Sequence, residues 1–495
     1  MKVLLIYPKI PETFWSYKYA LRFIRKRSAF PPLGLLTIAA LLPDTWSVRL
    51  VDENVDMLMD DDLIGIDFAF ISAMTIQRQS AMDVIDRCRE MGIKTVVGGP
   101  LFSAEPDAFA HVDHRVLDEA ECTLPAFLAD IQGGEPKKIY RAESYPDIRL
   151  SPVPVWSLIK HHHYASLSIQ YSRGCPFNCD FCNVTALFGR VPRVKSPQQV
   201  IHELDVIYRM GWRGTIFFVD DNFIGNKKAL KQGLLPALIA WRKGKKGCVF
   251  LTESSIDLAD DPELMTLMVQ AGFDSVFIGI ESPDETSLSE CHKFHNQNRN
   301  LLQDIRIIHR SGLQVMGGFI VGFDNDSPSI FQRQINFIQR SGIVTAMVGL
   351  LQAPPGTRLF ERLSREKRVC SDFSGDNVDG RTNIIPAMGM RRLSEGYRAM
   401  MHQLYSPRIY YQRIRTTLRE IRVPKVNNPP DWQHTLAFFR AAVHLGILGK
   451  ERWQYWQLLI WTMIRRPRML PLAVTLAILG RHYRRMCEVH IQNMA

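Results

Sequence analysis

The sequence predicts an α/β protein: a doubly wound, flavodoxin-like sheet domain, then a partial (β/α)6 barrel, then a helical extension. Three observations carry that prediction. Short apolar strands alternate with helical stretches through residues 1–150, the alternation resumes near Ser166, and the strand signal fades from about residue 375. The 495 residues leave room for two or three cores, and 46% hydrophobic with 22% charged is the balance of a globular chain.

In the first unit Val3–Tyr7, Ser47–Val51, Phe68–Ser72, Thr95–Val97 and Arg115–Leu117 read as strands, rich in Val, Ile, Leu and Phe. Leu33–Leu42, Gln77–Met91 and Thr123–Ile131 read as the helices between them. That order makes a parallel sheet covered on both faces, with its ligand beyond the carboxyl ends of the strands. No Gly-rich phosphate fingerprint follows the first strand, which argues against NAD or FAD. Proline-rich Tyr145–Pro154 marks a linker, so the first domain is set at 1–145.

The second unit, set at 160–370, has strands ending near Tyr171, Asp220, Glu253, Glu281, Phe323 and Gln352. Gln198–Met210, Pro262–Ala271, Asn298–Ser311 and Pro328–Ser341 are helices among them. Such a barrel carries its reactive residues on the loops at the strands' C-terminal ends. The loop after the first strand reads Arg173-Gly-Cys-Pro-Phe-Asn-Cys-Asp-Phe-Cys182, spacing Cys175, Cys179 and Cys182 as C-x3-C-x2-C. Thiolates this close suit an iron–sulfur cluster, which ordinarily takes four cysteines, so three leave one iron open. Structural zinc needs four ligands in paired spacing; no second pair occurs, and His161–His163 precede the strand. The other six cysteines are scattered, as in a reducing compartment. MKVLLIYPKI has no cleavage site after its apolar run, so no signal peptide is read and a cytoplasmic location is expected.

The last part, 375–495, reads as helical and basic. Of the 61 Lys and Arg, 18 lie from Arg391 onward, against 5 of the 50 Asp and Glu. Residues 453–485 hold two apolar runs divided by Arg465-Arg466-Pro467-Arg468, each too short to span a bilayer. Tryptophans beside arginines fit a helix pair lying in a membrane interface, which gives a peripheral position at the inner face of the membrane. A helical hairpin packed on the barrel, with a solvated basic face, fits as well. Nucleic acid is not expected, because the basic residues are interleaved with long aliphatics.

On the cysteine motif, residues 166–357 resemble the radical S-adenosylmethionine (SAM) enzymes. The resemblance implies that Cys175, Cys179 and Cys182 hold a [4Fe–4S] cluster whose fourth iron takes S-adenosyl-L-methionine. It implies that Phe181 lies against adenine, and that Asp220, Asp221 and Asn222 meet the methionyl amine or shape the cavity. Glu281 would accept from ribose hydroxyls, and Gly317 and Gly318 would let backbone approach the cofactor. Ala353-Pro-Pro-Gly-Thr357 resembles the turn after the family's sixth strand. A one-electron donor such as flavodoxin or ferredoxin is implied.

The first domain resembles the cobalamin-binding domain of the B12-dependent class. By that resemblance Ser72, Thr75, Gly98, Gly99 and Pro100 surround the nucleotide tail and corrin amides, with polar contacts from Asp52 and Asn54. The first histidine of the chain is His111, so the loop Pro8–Pro32 has none to offer cobalt. Trp15, Tyr17 and Tyr19 are expected to cover that face instead. Phe30-Pro-Pro-Leu-Gly-Leu-Leu-Thr37, Asp220-Asp-Asn-Phe-Ile-Gly225 and Thr382-Asn-Ile-Ile-Pro386 resemble a subgroup with a helical C-terminal extension (the DUF4070 type), similar to hopanoid C-2 methylases. The implied activity is cobalamin-dependent methylation of an unactivated carbon in a hydrophobic substrate such as an isoprenoid lipid. Ring formation or oxidation without methyl transfer, and a non-enzymatic cluster protein, are the alternatives. A transfer-RNA methylthiotransferase would need a second cysteine triplet, and the first domain has only Cys88 and Cys122.

Overall fold

The computed structural model describes residues 1–422 and 432–493. Its first sheet holds β1 (Lys2–Tyr7), β2 (Ser47–Asp52), β3 (Phe68–Ser72), β4 (Lys94–Gly98), β5 (His114–Val116) and β6 (Ile139–Tyr140). All pairings are parallel, in the order β2-β1-β3-β4-β5-β6. That is the flavodoxin-type order, and its direction reverses between β1 and β3, where such sheets open a crevice. Val3–Ile6 are fully buried because helices cover both faces, so the strand runs apolar without alternation. Leu35, Leu124 and Phe127 cover one face, and Val84, Ile85 and Cys88 the other. β6, two residues long, and the helix Lys18–Ile24 carried no readable sequence signal.

The second sheet holds β7 (Ser166–Ile169), β10 (Thr215–Phe218), β11 (Phe250–Ser254), β12 (Phe273–Glu281), β13 (Gln314–Val321) and β14 (Ala346–Leu350). Its order is β14-β13-β12-β11-β10-β7, all parallel, so β14 and β7 are its two edges and the barrel is partial. Between β7 and β10 lies a two-stranded antiparallel ribbon of β8 (Ser172–Arg173) and β9 (Arg193–Val194). The helices start where the sequence places their caps. The hydroxyl of Ser196 accepts from the Gln199 amide at 3.2 Å, the Gln199 side chain accepts from the Ser196 amide at 3.0 Å, and Pro197 opens the helix Pro197–Arg209.

The structure places the loop after β1 and corrects one expectation about the tail. The loop after β1 docks on the barrel and the last helix: the Trp15 ring N–H donates to the Met347 sulfur at 3.0 Å and its ring meets Phe277 edge-on at 5.4 Å. Phe14 stacks on Tyr483 at 4.1 Å, Tyr17 lies against His482 and Tyr483, and Tyr19 donates to Glu12 at 2.8 Å. These contacts seat the loop against the barrel and the last helix, with Trp15 on the same sheet face as Phe277 and Met347.

The correction concerns the tail. The helix Leu470–Asn493 puts Ala473, Val474, Leu476, Ala477 and Tyr483 into the same core as the barrel. Arg481 donates to the His444 carbonyl and Arg484 pairs with Glu451 at 2.9 Å, so these arginines serve the fold. The reading of 453–485 as a helix pair on a membrane therefore fails for its second half. Among the described residues no helix is long and apolar enough to cross a membrane.

Candidate active site

The ribbon brackets the cysteines, pairing Ser172 with Val194 and Arg173 with Arg193 on either side of the triplet. Gly174 has φ +94°, and a Cβ there would come within 3.0 Å of the backbone oxygens of Phe188, Gly189 and Val191; only glycine fits this turn. The Cys175 amide donates to Gly189 at 3.3 Å and the Cys182 amide to Cys179 at 3.2 Å. All three thiols are free and partly exposed, and each lies within the field of the others. Burial pushes the Cys182 thiol up to about 12, so ligation there must displace a proton. Among the described residues no three His, Cys, Asp or Glu side chains form a group fit for a single metal ion.

A buried charge network ties this loop to the first domain. Arg173 donates to Glu119 at 2.6 Å and to Glu121 at 2.8 Å, and Arg193 donates to Glu119 at 2.6 Å. Both carboxylates are almost wholly buried at the start of the helix Ala120–Gly133. Sequence reading missed this network, because none of its four members stands out among surface charges.

The strand ends of the barrel converge on the same mouth. Asp220 is spent on the scaffold: its carboxylate accepts from the Tyr171 amide and from the amide and hydroxyl of Ser172. Burial nonetheless pushes it up to about 7. Asp221 accepts from the Gly174 amide at 3.1 Å, and the Asn222 amide group reaches Ser255 at 3.2 Å and the Cys175 sulfur at 4.0 Å. Two of the three therefore shape the cysteine loop directly. Glu281 ends β12 at a register shift, in left-handed backbone with φ +61°, conformational strain of a kind that gathers at functional sites. Its carboxylate takes a 2.6 Å ion pair from the buried Lys293, whose ammonium lies 5.8 Å from the Phe181 ring centre. Burial lowers the pKa of Lys293, but Glu281 and the nearby Cys179 and Cys291 thiols outweigh it and hold it above its ordinary value. Sequence gave no sign of Lys293, since lysines are seldom buried.

Gly317 and Gly318 lie on β13, where a Cβ on Gly318 would meet the Phe277 ring at 2.9 Å. Phe181 packs partly buried against Phe323, Leu351 and Leu359. Asn383, in the Thr382–Pro386 motif, clasps Ala353 by both amide and carbonyl at 2.8 Å, which fixes the turn after β14. Phe250 packs outward near Trp241, so alternation turns Glu253 into the barrel. Its carboxylate has no hydrogen-bonding partner among the described residues, and burial, with Asp221 and Asp220 beside it, pushes it up to about 8.

In the first domain Ser72 and Gly99 touch: a Cβ on Gly99 would come within 2.7 Å of the Ser72 hydroxyl oxygen, and one on Gly98 within 2.7 Å of the Val116 carbonyl. Pro100 opens the helix Pro100–Ala104, which packs on Val184–Phe188, the helix directly after the cysteines. The end of β4 thus lies beside the cysteine loop. Thr75 and Ile76 lie against Gly375. Asp52 and Asn54 have other partners: Asp52 accepts from the Tyr164 hydroxyl at 2.8 Å and from Asn54 at 2.7 Å, while Asn54 accepts from the Ile10 amide at 2.8 Å. Both hold the β1 loop and the domain junction.

Three family models match the chain: the B12 binding domain over residues 25–128, the radical SAM superfamily over 169–338, and a domain of unknown function (DUF4070) over 357–495. An uncharacterized methyltransferase of Synechocystis sp. is 37% identical, covering 99% of this chain and 92% of its own length. Hopanoid C-2 methylase of Rhodopseudomonas palustris is 39% identical over 76% of this chain and 73% of its own. The radical SAM methyltransferase TsrM of Kitasatospora setae shares the fold, with a TM-score of 0.59 at 15% identity over 75% of this chain and 77% of that one. The matched segments follow one another as the two sheets and the helical extension do, and the chain belongs to the cobalamin-dependent radical SAM methyltransferases, enzymes that work with a [4Fe–4S] cluster, SAM and cobalamin.

Proposed function

We propose that this enzyme methylates an unactivated carbon of a hydrophobic substrate, an isoprenoid lipid of the hopanoid kind. The substrate class rests on the likeness to hopanoid C-2 methylase over most of both chains. The shared site rests on one observation: the helix Pro100–Ala104 of the first domain packs on the helix that follows the cysteines. When bound, the cofactors supply the one-electron chemistry and the methyl group. A small electron-transfer protein such as flavodoxin or ferredoxin is the proposed reductant.

The chain's own residues hold and orient. Cys175, Cys179 and Cys182 ligate the cluster, and Phe181 offers its face to adenine. Glu281, held by its ion pair with Lys293, accepts from ribose hydroxyls. Asp221 and Asn222 fix the cysteine loop from behind, Asp220 anchors the first barrel strand, and the backbone at Gly317 and Gly318 lines the cavity. Ser72, Thr75, Gly98, Gly99 and Pro100 receive the cobalamin tail, with Asp52 and Asn54 holding the loop beside it. The test is anaerobic turnover with SAM labelled on its methyl carbon and a hopanoid lipid. Label in the lipid is expected; an altered lipid without label would instead mean a radical reaction lacking methyl transfer.

Gly99 gives a sharper test of the cobalamin assignment. Its φ of 94° and ψ of −178° form a conformation open essentially to glycine alone. Gly99→Ala should strain that turn by about 1–3 kcal/mol and push the loop off Ser72. Bound cobalamin, read from its visible absorbance, should fall several-fold while iron per protein stays constant. Equal loss of both, or of neither, would remove Gly99 from the cobalamin site.

A further inference from the structure

The apolar residues of the tail are distributed unevenly. The helix Arg452–Arg465 buries Tyr455, Leu458, Leu459 and Thr462, as an amphipathic helix should. Its opposite face is also apolar: Trp453, Trp456, Ile460, Met463 and Ile464 are exposed, at spacings that share one side of a helix. The preceding helix Trp432–His444 and its turn add Phe439, Val443, Ile447 and Leu448. Exposure is high, 61% at Phe439, 70% at Leu448, 69% at Trp453 and 73% at Ile464. The two helices are tied together, the Trp456 ring N–H donating to the Gly446 carbonyl at 2.9 Å, so these residues sit on one hairpin. A contiguous apolar surface of this kind marks an interaction site.

The charge around it says what kind. Lys450, Arg452, Arg465 and Arg468 are exposed at its borders, while Glu451 turns inward to Arg484. Behind the second helix lies a groove of about 540 Å³ lined by Arg408, Arg415 and Arg419 with Gln454 and Gln457, and no acidic side chain lines it. The Nε of Arg415 and the Oε1 of Gln454 are buried there without partners. A second copy of the chain would bring this basic rim against itself, whereas an anionic surface with an apolar interior matches both rim and face.

We propose that the hairpin 432–465 docks on a bilayer containing anionic phospholipid, with its aromatic and aliphatic face in the interface and its arginines on the headgroup phosphates. The base of the hairpin makes this relevant to the reaction. Arg440 donates to the Phe23 carbonyl at 2.6 Å and His444 meets the Phe23 ring edge-on at 5.7 Å. Phe23 lies on the helix Lys18–Ile24, directly after the loop whose Trp15 touches Phe277 and Met347 of the barrel, so one short segment joins the docking hairpin to the barrel strands. That link rests on the proposed hydrophobic substrate; the docking itself does not.

The experiment is anaerobic flotation of the cluster- and cobalamin-loaded enzyme with two sets of vesicles, phosphatidylcholine alone and phosphatidylcholine with phosphatidylglycerol. Binding is expected to the anionic vesicles and to weaken with salt. The double variant W453E/I464E should bind about tenfold less, as expected when interfacial apolar anchors become charges. R465E/R468E should lose the preference for anionic lipid. Iron, cobalamin and 5′-deoxyadenosine formation should be unchanged in both, separating a docking failure from a failure of the enzymatic reading. The proposal is overturned if the unaltered enzyme ignores both vesicle types, if W453E/I464E binds as well as the parent, if that variant turns a dimer into a monomer without lipid, or if a nucleic-acid duplex displaces the vesicles.

Discussion

Changing Cys179 to serine should leave a folded protein that keeps little iron and makes no detectable 5′-deoxyadenosine. A serine hydroxyl is a far weaker iron ligand than a thiolate, and two cysteines cannot hold a cluster that three hold with one iron open. The loop should survive, because its shape rests on Gly174, on the ribbon pairing of β8 with β9, and on Asp221 receiving the Gly174 amide. Iron analysis, the charge-transfer absorbance of the reconstituted protein and its circular dichroism together check the expectation. Cluster content equal to the parent's would take Cys179 out of the ligand set. Lost helical signal would show that the cysteine serves the fold instead.

The largest stability effect is expected at Arg173. Arg173→Ala leaves Glu119 and Glu121 buried with only Arg193 between them. Breaking a buried ion pair by removing one partner costs about 3–5 kcal/mol, because the abandoned charge is not rehydrated. The denaturant midpoint should drop accordingly, and Arg173→Met should not rescue it. The same network sets an acid limit. Burial alone would raise Glu121, but the hydrogen bonds and charge of Arg173 overcome it and hold the carboxyl at about 2, below its usual 4.5. A depressed carboxylate stabilises the fold fully above about pH 4.5, and that contribution is lost as the pH falls towards 2. The parent should therefore lose stability across that window, and Glu121→Gln should lose less. Identical acid profiles would mean that the pair is not what holds the junction.

Both sheets could be read from sequence because their strands are short runs centred on Val, Ile, Leu and Phe that recur between helical stretches. The mouth residues Asp220, Asn222 and Glu281 were found for a related reason: polar groups that end apolar runs stand out. The junction was not legible. Arg173, Arg193, Glu119 and Glu121 each look like surface charges, and their partnership spans more than fifty residues of chain. Lys293 is hidden likewise, buried only because Glu281 faces it across a loop. The tail misled in the opposite way. Its second apolar run has the composition of an interfacial helix, but the partner that covers it is the barrel, a contact no local pattern records. The packing of the loop after β1 on Phe277 and Met347 is likewise a contact that no local pattern records.

The connection carrying Phe14 and Trp15 on a loop and Phe23 on a short helix leaves the first sheet, crosses to the barrel strands and seats the tail. The first domain is thus no detachable cofactor carrier. A deletion of residues 1–145 would unplug the barrel and unseat the last helix along with removing the sheet. Inactivity of such a truncation would not measure dependence on cobalamin, and exchanging this domain with a relative's would succeed only if the loop stayed with the barrel it fits.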